Sequence, residues 1–148
     1  MQPVPLSTRQ IVEVLGGRKV LGLESPSPDQ LREKLRKGLP FGALAFLVRT
    51  FHLSMKEVEA ALLLPARTLA RRKKAHRLAT DESDRVFRFA SVGAYAVAVL
   101  GSRDRAVDWL RRPNRALGGV APLAVMDTEL GTQQVEAELG RIEFGVYS

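Results

Sequence analysis

The side chains best equipped for chemistry in this sequence are cations, and they crowd into one short stretch. Between Ala66 and Arg77 stand Arg67, Arg71, Arg72, Lys73, Lys74 and Arg77. On a helix, Arg67, Arg71 and Lys74 share one side with Lys73 or Arg77 within reach, a pattern that could enter a major groove with arginines on guanine edges and lysines on phosphates. A plainly solvated helix fits the same residues, because Arg and Lys are good helix formers and charge runs are commonly just surface. Catalysis finds less support. His52 and His76 are the only histidines, and neither has a neighbouring carboxylate, serine or metal-ligand spacing. Asp81, Asp84, Asp104 and Asp108 read as helix-start charges and surface pairs; Asp104 and Asp108, one turn apart, need Arg103 or Arg111 to offset their repulsion. Gly16-Gly17 and Gly118-Gly119 lack the strand-then-helix context of a phosphate loop. No enzymatic activity, no cofactor and no metal site are expected.

The other conspicuous segment is the end, Arg141-Ile142-Glu143-Phe144-Gly145-Val146-Tyr147-Ser148. Ile142, Phe144 and Val146 alternate like a half-buried extended segment, at a position where chains usually fray. Each such side chain contributes roughly 1.5–3 kcal/mol on full burial, which asks for a surface to lie on. That surface is either a partner or the chain's own domain.

Composition narrows the class. The 148 residues suffice for one good core or two small ones, and the absence of cysteine excludes disulfides and thiolate chemistry and fits a reducing cytoplasm. The opening residues have neither the basic start nor the apolar run of a signal peptide, and no stretch is long and apolar enough to span a membrane, so a soluble protein is expected. The net charge of +7 is unevenly spread: Met1 to Arg77 holds 15 Lys/Arg against 6 Asp/Glu, whereas Leu78 to Ser148 holds 8 against 10. A basic front half gains from polyanions by counterion release, and the slightly acidic back half does not, which points to nucleic acid for one and protein for the other.

Helical periodicity positions all of this. A short apolar pattern ends at Gly16-Gly17; Pro28 opens a helix to Lys37; Leu44, Leu47, Val48 and Phe51 form a stripe after Pro40; Ser54 caps a helix through Leu62, and the basic helix follows Leu63-Leu64-Pro65. Two helices about a short turn, the second basic, suggest helix-turn-helix. The usual small residue within the first helix and glycine in the turn are replaced by Glu59 and Leu63, and a non-glycine residue in a left-handed turn costs roughly 1–2 kcal/mol. From Asp81 to Leu100 apolar side chains cover over half the circumference, so that helix must be central or at an interface. Ala106, Trp109 and Leu110 line a helix stopped by Pro113, with Trp109 read as core; Pro122 begins another short helix. Thr132 caps a last helix carrying Val135, Leu139 and Ile142. The expected fold is all-α, with residues 1–79 as a helix-turn-helix domain and 80–148 as a small helical domain ending in a tail.

With these residues laid out, the chain resembles the Xre/MbcA/ParS-type antitoxins of the RES–Xre toxin–antitoxin systems. The resemblance is carried by Asp81-Glu82-Ser83-Asp84-Arg85, Trp109-Leu110-Arg111-Arg112-Pro113-Asn114, Ala116-Leu117-Gly118-Gly119, Pro122-Leu123, Thr128-Glu129-Leu130-Gly131 and Gly140-Arg141-Ile142-Glu143 in order. In the front half it is carried by Leu15-Gly16-Gly17-Arg18-Lys19-Val20-Leu21-Gly22 and Thr68-Leu69-Ala70-Arg71-Arg72-Lys73. It implies an inhibitor of an NAD-consuming RES-domain toxin, a homodimer, and occlusion of the toxin's cleft by Arg141, Ile142, Glu143, Phe144, Gly145, Val146, Tyr147 and Ser148. It also implies repression of its own operon, with operator DNA contacted by Arg67, Thr68, Arg71, Arg72, Lys73 and Lys74. The competing reading is a dimeric transcription regulator whose second domain has no inhibitory role.

Overall fold

The computed structural model describes residues 6–145. Among them there is no sheet; the regular elements are helices α1 (Thr8–Val14), α2 (Gly17–Leu21), α3 (Pro28–Lys37), α4 (Phe41–Thr50), α5 (Met55–Leu62), α6 (Ala66–Ala75), α7 (Thr80–Leu100), α8 (Arg103–Arg111) and α9 (Glu129–Glu143), with 3-10 turns at Arg115–Leu117 and Pro122–Val125. None of these helices is long and apolar enough to cross a membrane.

Local chemistry sets most boundaries. Ser7, Ser27 and Ser54 each accept from the backbone N–H three residues on, and Gln10, Gln30 and Glu57 return the bond, so α1, α3 and α5 open on reciprocal caps that satisfy otherwise orphaned donors. His52 and His76 both adopt left-handed backbone angles, at φ 52° and 61°, just past α4 and α6. Their place in the fold is the turn after a helix, a conformation that non-glycine residues seldom take.

α7 is the central element, packed by α1, α3 and α5 from the first half of the chain and by α8 and α9 from the second. Val86, Phe89, Ala90, Val92, Ala94 and Ala96 are all buried in one continuous apolar core that joins both halves of the chain. Phe51, the C-cap of α4, lies edge-on to Phe89 with ring centroids 5.9 Å apart. A Cβ at Gly93 would come within 2.4 Å of the Phe51 ring, so the seat of that buried ring against α7 leaves no room for a side chain there. Trp109 packs partly buried against the same core.

Arg141 to Phe144 depart from the expected extended tail. α9 begins at Glu129, capped by Thr128 rather than Thr132, and continues through Arg141, Ile142 and Glu143, with Phe144 as its C-cap. The register that places Val135 and Leu139 in the core extends one more turn, leaving Ile142 half-buried. Helical hydrogen bonding, available within the segment itself, prevails over a strand alternation that has no neighbouring strand to pair with. Val146, Tyr147 and Ser148 lie outside the described residues.

Candidate functional site

α5 and α6 enclose the turn Leu63-Leu64-Pro65, and Leu63 occupies its left-handed position at φ 56°, ψ 41°. Glu59 is exposed on α5. The turn is stabilised from α7: Arg85 donates to the carbonyls of Leu62 at 2.9 Å and Leu63 at 3.4 Å, partnering acceptors that the helix end leaves open.

Along α6, Leu69 faces the core and the cations divide. Arg67, Arg71 and Lys74 are exposed and fall within an arc of roughly 60° at about 100° per residue. Thr68 is half-buried on the flank. Lys73 lies on the opposite flank, at the rim of an apolar groove of about 470 Å³ lined also by Phe41, Val48, Met55 and Leu69. Arg72 is turned inward: its Nε donates to Glu82 Oε1 at 2.7 Å, and the same oxygen accepts the Ala79 N–H at 2.8 Å. Burial alone would push the Glu82 carboxyl up, but the bonds from Arg72 and Ala79 outweigh it and hold the group below the usual carboxylate range. The geometry thus assembles Arg67, Arg71 and Lys74 on one face and does not bring Arg72 to it.

A second arginine, which the sequence offered only as a counter-charge for Asp104 and Asp108, fixes the other end of α5. Arg111 of α8 forms a two-pronged pair with Glu57 and also donates to the carbonyls of Phe51 and His52. Glu57 meanwhile accepts the Ser54 N–H at 2.8 Å as part of the α5 cap. Burial would raise the Glu57 carboxyl; the Arg111 and Ser54 bonds lower it by more. Arg111 is therefore not the counter-charge for Asp108, which pairs instead with Arg112 at 3.2 Å. The only sequence signal for Glu57 is its capping-box spacing, and nothing local marks Arg111 as its partner.

At the far end, Arg141 pairs along its own helix with Glu138, its Nε lying 2.8 Å from Glu138 Oε2. Tyr95 of α7 donates to Glu143 Oε1 at 2.9 Å. Burial, then the bond to Glu143, pushes the Tyr95 phenol up to about 12, so it remains a donor throughout the neutral range. Ile142 and Phe144 are half-buried and Gly145 is exposed. Among the described residues no group of His, Asp and Glu is placed to hold a metal ion.

The chain is similar to two family models: residues 30–91 match the antitoxin Xre-like helix-turn-helix domain, and residues 95–145 match the antitoxin Xre/MbcA/ParS C-terminal toxin-binding domain. An antitoxin Xre from Photorhabdus laumondii is 32% identical over 132 residues, covering 88% of this chain and 89% of that protein. An antitoxin Xre from Pseudomonas putida is 40% identical over 89 residues, covering 60% and 56%. A Sphingobium protein named Prs ADP-ribosylating antitoxin is 28% identical over 153 residues, covering 90% and 96%. With a helix-turn-helix and a toxin-binding domain in that order, and a relative matched over nearly its whole length, this chain belongs to the Xre/MbcA/ParS antitoxin family.

Proposed function

We propose that this antitoxin neutralises an NAD-consuming RES-domain toxin by laying its C-terminal segment, Arg141 to Ser148, over the toxin's active-site cleft, and has no catalytic activity of its own. The observation that carries this reading is an apolar chain end only half-covered by its own fold: Ile142 and Phe144 keep surface available at the last turn of α9, within the matched toxin-binding region. The name of the Sphingobium relative joins an antitoxin with ADP-ribosylation, a reaction that consumes NAD, which favours that class of toxin. Residues 1–79 act as the DNA-binding unit and 80–148 as the toxin-binding unit, in the cytoplasm and as a homodimer. Arg67, Arg71 and Lys74 carry operator contact, supported at the flanks by Thr68 and Lys73, and this binding represses the operon.

Deletion of Phe144 to Ser148, followed by co-expression with the RES-domain toxin encoded beside the antitoxin, tests the mechanism. Growth arrest and unrestrained NAD consumption are expected even where the truncated protein still co-purifies with the toxin. Full neutralisation by the truncated chain would remove the segment from the mechanism.

A further inference from the structure

Among the described residues, one long-range hydrogen bond ties the last turn of α9 to the rest of the molecule. The Tyr95 phenol crosses from α7 to Glu143, the final residue of α9, 48 positions away. Both side chains are half-buried. One turn earlier Gly140 presents no side chain, and a Cβ there would stand 3.6 Å from the Tyr95 oxygen, so the phenol lies over bare backbone on its way to the carboxylate. Arg141 does not compete for Glu143, being engaged with Glu138.

Immediately beyond this bond the helix stops. The Phe144 N–H still reaches the Gly140 carbonyl at 3.1 Å, but Gly145 adopts a left-handed φ of 69° and donates to Ile142 at 3.1 Å. That is the conformation in which glycine commonly ends a helix and redirects the chain. Gly145 thus leaves the helix in a direction fixed relative to the final turn. An untied helix end frays, and a segment that is binding-competent for only a fraction of the time binds more weakly by that fraction.

We propose that Tyr95 is a positioning residue for toxin inhibition: by holding Glu143 it keeps the last turn of α9 formed and presents Phe144 and Gly145 to the toxin in a preset orientation. This rests on the occlusion reading above, and it gives Glu143 an inward task in place of contact with the toxin.

The test measures inhibition of the neighbouring RES-domain toxin's NAD consumption by the full chain, by Tyr95→Phe, by Glu143→Gln, and by the Phe144–Ser148 deletion with and without Tyr95→Phe. Losing one such hydrogen bond should weaken inhibition about three- to tenfold. Glu143→Gln, whose amide oxygen still accepts from the phenol, should retain most of the parent's potency. In the truncated background Tyr95→Phe should change nothing further, and in the free protein it should speed amide hydrogen exchange at Phe144 and Gly145. Unchanged inhibition by Tyr95→Phe, beside a damaging truncation, overturns the positioning role and leaves occlusion standing. Equal losses in the full and truncated backgrounds also overturn it, as a general structural effect. A harmless truncation sinks the occlusion reading and this inference with it; unaltered exchange at the helix end sinks this inference alone.

Discussion

Replacing Arg111 by alanine should loosen the α5 helix from the toxin-binding half without touching either binding surface. The substitution removes the two-pronged pair with Glu57 and the bonds to the Phe51 and His52 carbonyls. Hydrogen bonds to charged groups contribute about 1.5–3 kcal/mol, while exposed ion pairs contribute about 0.2–1 kcal/mol. With about a third of the Arg111 side chain and a quarter of the Glu57 side chain still exposed (34% and 25%), the arrangement falls between these limits. A loss of about 1–1.5 kcal/mol follows, or about 2–6 °C in melting temperature for a chain of this size. Because Glu57 titrates lower in the folded protein than in the unfolded one, its contribution is complete above the ordinary carboxylate pKa and disappears as pH falls through the folded value. Calorimetry of the parent, Arg111→Ala, Glu57→Gln and the double variant should therefore show a difference between parent and Arg111→Ala that narrows in acid, and single losses that exceed the double loss when summed. An Arg111→Ala protein that melts with its parent, or losses that simply add, would refute the reasoning.

The α6 surface makes a contrasting pair of predictions. Replacing Arg71 and Lys74 by alanine should weaken operator binding and flatten log K against log salt by about 0.9 for each phosphate no longer neutralised, with little change in melting temperature; an unchanged salt slope in a binding titration would exclude these side chains. Arg72→Ala should instead lower the melting temperature, since it strands the buried Glu82 carboxylate, and thermal unfolding at neutral pH checks it. Leu63→Gly should leave stability within about 1 kcal/mol of the parent, because the conformational relief of about 1–2 kcal/mol is offset by glycine's chain entropy and the lost half-burial of leucine; a larger loss in urea unfolding would show that the left-handed turn carries no such strain.

Much of the architecture was legible in short stretches of sequence. Ser27-Pro28 and Ser54 mark helix starts because a capping hydroxyl needs only the backbone three residues away. The apolar wrap from Val86 to Leu100 requires burial on several sides, and α7 is indeed the element on which both halves pack. The strain at Leu63 was equally legible, since the turn demands a left-handed residue whatever surrounds it. The ordered motifs, too, carried the family resemblance that the relatives and family models bear out.

What tertiary structure alone decided is the assignment of charged and terminal residues. The resemblance implies the same role for Arg72 and Arg71, yet α7 brings Glu82 against one and leaves the other in solvent. Arg111 finds Glu57 across 54 positions, a pairing that no local pattern encodes. The closing residues satisfy a two-residue and a helical period at once, and a few residues cannot distinguish them. Packing on α7 completes the helix through Glu143, because an isolated strand has no neighbour for its backbone whereas a helix supplies its own. Backbone conformation is governed by neighbours within a turn or two; the partner of a long charged side chain is chosen only when distant parts of the chain meet.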